Sequence, residues 1–129
     1  MNRKYLSENF ELKSALGRFA QDYELLDEAI AIFKEEAPKH LAEIKKCLEL
    51  GEFQEASTHA HTLKSECAAV GASKAQAISL TMEKTTANKD ITQAKEILPD
   101  LEKIVADAVK FLPESTEFMV NPNMKLLHS

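Results

Sequence analysis

Only three glycines, Gly17, Gly51 and Gly71, punctuate the 129 residues of this chain. A chain with so few positions free to turn back sharply is built from few, long elements. Ala, Leu, Glu and Lys fill the intervals between them, and these are strong helix formers. Hydrophobic residues make up 44% of the chain, enough to bury one real core. The length suits one compact domain and leaves little room for a second core. The expectation is an all-α domain.

The apolar residues recur at spacings of three and four, which is the helical period. Ser7 or Asn9 can cap a first helix carrying Phe10, Leu12, Ala15, Leu16 and Phe19. Asp22 stands before a second stripe, Tyr23, Leu25, Leu26, Ala29, Ile30 and Phe33. Pro38 disfavours helical geometry in the residue before it and suits the first turn of a new helix, so a break is expected there. The next segment presents Leu41, Ile44, Cys47 and Leu48 and stops at Gly51. A further helix runs from about Glu52 to Gly71. Ser73 is expected to cap the following one, with Ala75, Ile78, Met82 and Thr85 on one side. Asn88 to Asp90 reads as a turn. The last helix carries Ile91, Ala94, Ile97, Leu98, Leu101, Ile104, Val105, Ala108, Phe111 and Leu112, with Pro99 expected to kink or divide it. Short connections make neighbouring helices antiparallel, so four long amphipathic helices predict an up-down-up-down four-helix bundle. Residues 1–112 form that domain; residues 113–129 read as a C-terminal tail, mobile or docked through Phe118, Met119, Val120, Leu126 and Leu127.

The net charge of -5 and the absence of any basic run longer than Lys45-Lys46 argue against nucleic acid or an anionic membrane as partner. No apolar run approaches the roughly 20 residues of a membrane span. The N-terminus lacks the apolar stretch of a secretory signal. Cys47 and Cys67 occupy apolar helical positions and read as buried free thiols, which with the N-terminus points to a cytoplasmic location. There is no CxxC spacing and no metal-ligand cluster along the sequence, so no cofactor or metal is expected on this chain.

Two of the four histidines, His59 and His61, stand close together in THAHTLKSE. A helix advances about 100° per residue. Gln54, Ser57, Thr58, Lys64, Ser65 and Ala68 then surround His61, while Ala56, Leu63, Cys67 and Val70 form the opposite, core-facing stripe, with Ala60 and Phe53 at its edge. His61 points outward from a face of small and polar side chains. Ser57, Thr58, Ser65 and Ala68 keep that surface low, so a partner's backbone can approach the ring. His59 lies about 160° round the wheel, beside Thr62 and Glu66 at the rim of the core stripe. Residues two apart on a helix face different sides, so the two rings cannot share a metal. A phosphoryl group on His61 would add about two negative charges, and Lys64, one turn on, is placed to offset part of them.

These residues resemble a known family. AHTLKSECAAVGA, Ala60 to Ala72, looks like the signature of histidine-containing phosphotransfer (HPt) domains: a histidine, a lysine three on, a small residue four on, then small residues and Gly-Ala. Arg18 to Phe53 resembles the helices that precede the motif, Met82-Glu83 its hydrophobic-Glu pair, and ILPDLE, Ile97 to Glu102, its last helix. The resemblance covers roughly residues 8 to 112. It implies a four-helix bundle with additional short N-terminal helices. It also implies that His61 is the phosphoacceptor and Lys64 the supporting cation. The group would arrive from a phospho-aspartate of a receiver domain or hybrid histidine kinase and pass to a response regulator, whose receiver domain would supply Mg2+. No Gly-rich phosphate loop or nucleotide motif is present, so the chain is expected to be a phosphocarrier without an ATP site, not an enzyme.

Two positions depart from the pattern. Ser65 stands where the family usually has glycine, and Glu66 where a small residue is common. Glu66 lies about 140° from His61 on the wheel, so it should repel a phosphate only weakly. These departures favour the alternative, a non-catalytic helical module that docks or sequesters receiver domains. A metal-binding bundle lacks its usual paired Glu-x-x-His helices. A monomer is expected, because one bundle closes its own core. The methionine start and short N-terminus lead to the expectation of a stand-alone protein.

Overall fold

The computed structural model describes residues 10–121, and among these every regular element is helical. In chain order they are α1 (Leu12–Arg18), α2 (Tyr23–Leu50), α3 (Phe53–Ala69), α4 (Ser73–Ala87), α5 (Ile91–Phe111) and a 3-10 turn (Glu117–Met119). Short links, Gly51-Glu52, Val70 to Ala72 and Asn88 to Asp90, reverse the chain between α2, α3, α4 and α5. Each of these helices packs on the next, and α5 closes the ring against α2. The expected four-helix bundle is the fold, with α1 as a short helix ahead of it. The expected caps Ser7 and Asn9 lie outside the described residues. The described α1 starts after Glu11, with Phe10 buried just before it.

The core runs down the bundle axis. Leu26, Ile30, Phe33 and Ile44 of α2, Leu63 of α3, Met82 of α4 and Leu101 and Val105 of α5 are all essentially inaccessible. Asp22 starts α2, its carboxylate accepting from the backbone N–H groups of Glu24 and Leu25. Gly51 ends α2 in the left-handed conformation, φ 72°. Within the stripe expected for α2, Leu25 is turned outward and exposed.

Four expectations are corrected. Pro38 does not break the chain: α2 continues through it to Leu50. Pro38 sits on the exposed side while Phe33, Ala37 and Ile44 are buried opposite, so packing of the apolar stripe carries the helix past the missing N–H. Of the kink or division expected at Pro99, the division does not occur: α5 runs unbroken through this exposed residue. Ser73 is not a cap but the first residue of α4, with Ala72 at the N-cap position. The buried side of α4 is also rotated from the expected one, burying Ser79 and Thr86 with Ala75 and Met82. Their hydroxyls donate to carbonyls one turn back in the same helix, Ala75 and Met82, each at 2.8 Å, which removes the penalty of burial.

The first part of the tail packs on the bundle. Thr116 is fully buried; its N–H donates to Asp27 Oδ1 at 2.7 Å, and its Oγ1 lies 2.7 Å from the same oxygen. Met119 rests against the core, while Val120 is exposed. Leu126 and Leu127 lie outside the described residues.

Candidate functional site

His61 stands on the outer face of α3 with 59% of its side chain exposed. Its Nδ1 lies 2.9 Å from Glu83 Oε2, and the other oxygen of that carboxylate lies 2.8 Å from Lys64 Nζ. Glu83, on α4, is therefore clamped between His61 and Lys64 of α3. Lys64 is the first cause, and His61 a further one, that holds the Glu83 carboxyl below the usual range despite partial burial. Glu83 was visible in the sequence only as half of the Met82-Glu83 pair. Its position opposite His61 depends on how α4 packs on α3, and no spacing within α3 could reveal it.

A neutral imidazole that donates Nδ1–H to Glu83 leaves the lone pair on Nε2 free on the solvent side. Thr58 and Ser65 flank it on the exposed face. Both hydroxyls are turned back onto α3: Thr58 Oγ1 donates to the Gln54 carbonyl at 3.1 Å, and Ser65 Oγ to that of His61 at 3.2 Å. Ala68 is half-buried, and its carbonyl accepts from the guanidinium of Arg18 on α1. Ser57 is a correction to the expected contact surface. It is 8% exposed, and its Oγ donates to the Glu83 carbonyl at 3.1 Å. Its place is under α4, where it pins the backbone that carries Glu83.

His59 belongs to a different cluster, as the wheel predicts. Its Nδ1 is 3.3 Å from Nδ1 of His40 on α2, and His40 Nε2 is 3.4 Å from Glu66 Oε1. Burial raises the Glu66 carboxyl above its ordinary value, with His40 opposing the shift. Glu66 therefore faces α2 and not His61. Cys47 and Cys67 are buried free thiols, and burial pushes Cys67 up to about 12, far from the reactive range.

Gly71, φ 71°, fixes the far end of this helix. A Cβ there would stand 2.6 Å from the Glu11 carbonyl oxygen, and the Glu11 N–H donates to the Gly71 carbonyl at 2.6 Å. The glycine of the Gly71-Ala72 pair is thus where α1 is fastened to the end of the histidine helix.

An antiparallel helical bundle carrying an exposed imidazole, braced by a carboxylate from the next helix, defines the class. The chain belongs to the Hpt domain family: the family profile matches residues 28–110, more than half of the chain. The match starts within α2, so α1 lies outside it. Among solved structures the fold is similar to a rice protein, described provisionally as a histidine-containing phosphotransfer protein. That similarity has a TM-score of 0.63 at 22% identity and covers 72% of this chain and 70% of the other. A comparison with curated proteins finds no match. The family is one of phosphotransfer in two-component signalling, with receiver domains and kinases as its partners. No helix among the described residues is long and apolar enough to cross a membrane.

Proposed function

We propose that this protein is a phosphorelay intermediate that carries a phosphoryl group on His61 between a phospho-aspartate donor and a response regulator. The observation that carries this reading is the bridge from Glu83 to both His61 Nδ1 and Lys64 Nζ, at 2.9 and 2.8 Å. Nε2 of the neutral ring attacks phosphorus. The P–N bond forms as the acyl-phosphate P–O bond breaks, and the aspartate leaves as a carboxylate. Positive charge then develops on the ring, with the Nδ1 proton directed at the Glu83 anion. Phosphoryl transfer rests mainly on positioning and on charge, and both are served by a ring held from one side and open on the other. Lys64 neutralises Glu83 in the free protein and stands one turn from the ring, within reach of the incoming phosphoryl oxygens. The receiver domain supplies Mg2+ and the acidic pocket. The chain itself acts as a carrier, and the low rim of Thr58, Ser65 and Ala68 admits the partner's backbone.

The test is transfer from a panel of phosphorylated receiver domains to the full-length chain, read as acid-labile label. Wild type and His59→Gln become labelled; His61→Gln does not. Label retained in His61→Gln overturns the assignment. Stable receiver binding with no label on wild type marks the chain as a docking module instead.

A further inference from the structure

Away from His61, the α2–α3 hairpin collects a thiol, an imidazole and a carboxylate at one spot. One ligand atom each from Glu43, Cys47 and His59 lies within 4.8 Å of the other two. Glu43 and Cys47 are one turn apart on α2, and His59 faces them from α3. We propose that these three side chains bind a borderline-soft divalent cation of the zinc type, clamping α2 to α3. Thiolate, imidazole and carboxylate together are the donor set that zinc favours over magnesium or calcium. Zinc bonds of about 2.0–2.3 Å put tetrahedral donors roughly 3.5 Å apart, so small side-chain rotations, easiest for the exposed Glu43, complete the closure.

Two neighbouring features fit the same site. The first is the chain of contacts behind His59. If His40 Nε2–H points at Glu66, His40 Nδ1 accepts from His59 Nδ1–H, and His59 keeps an unprotonated Nε2 to ligate metal. This is the outer-shell pattern in which a metal-binding histidine passes its other N–H to a supporting group. The second is the acidic rim. Cys47 also groups with Glu52 and Glu55 within the same limit, so the thiol stands between two sets of candidate oxygen donors.

Cobalt(II) titration of the reduced full-length chain tests the site. Wild type is expected to show thiolate-to-cobalt charge transfer and the intense visible bands of tetrahedral cobalt, both abolished by added zinc. Cys47→Ser loses the charge-transfer band, and His59→Gln weakens binding by at least about tenfold. Cys67→Ser and His61→Gln bind as wild type does, which separates this site from the other thiol and from the phosphoacceptor. Absence of the thiolate band in wild type, or its survival in Cys47→Ser, overturns the proposal. Should Cys47→Ser fail to fold, Glu43→Gln and His59→Gln decide, and unchanged cobalt affinity in both overturns it.

Discussion

Glu83 is the residue on which the two α3 side chains converge, and its ionisation links the site to stability. Its carboxyl is held low first by Lys64, then by His61. A carboxyl whose folded pKa lies below the unfolded value, about 4.3 for Glu, adds stability above that value. The contribution is lost as pH falls through the lower folded pKa. Thermal unfolding followed down through that window should therefore show a steeper loss for wild type than for Glu83→Gln. At neutral pH the substitution should lower stability by about 1 kcal/mol or less, because the ion pair is partly solvated. Its larger effect should be on transfer, since Nδ1 loses its anionic acceptor. Ser65 belongs to the same scale. Its hydroxyl already donates to the His61 carbonyl, so Ser65→Gly should fold and transfer at a rate equal to or above wild type, measured by single-turnover labelling. A large loss of rate would give the hydroxyl a positive role.

Among the elements, the two link glycines make a controlled comparison. Gly51 and Gly71 share nearly the same backbone, φ 72° and 71°. A Cβ at Gly51 meets nothing within 4 Å, whereas one at Gly71 meets the Glu11 carbonyl oxygen at 2.6 Å. Gly51→Ala should cost only the left-handed conformation, about 1 kcal/mol. Gly71→Ala should cost about 2 kcal/mol or more, because backbone must also move. Its second signature should be release of α1, seen as faster proteolysis after Arg18. Equal melting temperatures for the two variants would remove the role assigned to the Glu11 contact. The continuous α2 is an element-scale lesson as well. Pro38 weakens one turn, yet the buried run from Leu26 to Leu48 holds the helix on both sides of it.

For the whole molecule, the bundle is extended by the segment that follows α5. Thr116 is buried against α2, with Asp27 accepting from its N–H. Thr116→Val removes the hydroxyl beside a carboxylate, and the expected loss is about 1–2 kcal/mol. Limited proteolysis should then cut between α5 and the 3-10 turn sooner than in wild type. An unchanged cleavage rate would mean that Thr116 does not anchor the segment.

Much of this was legible in the order of residues. Scarce glycine, apolar spacing and the stop at Gly51 define the helices, and the wheel separates His59 from His61, because both follow from the period of a helix alone. What failed was local: Pro38 as a break and Ser73 as a cap are propensities of a few residues, and packing over the length of α2 and the start of α4 overrode them. Ser57 looked exposed because a wheel treats a helix as if it had one covered side, whereas α3 is covered by α2 on one flank and α4 on another. Sequence by itself determined that this chain is a helical bundle presenting His61 with Lys64 one turn away. Only the tertiary structure decided that Glu83 braces both, and that Glu43, Cys47 and His59 meet. Each of these clusters is completed by a residue from a second helix, and contact between helices is set by how their side chains interlock, which no single helix's period records.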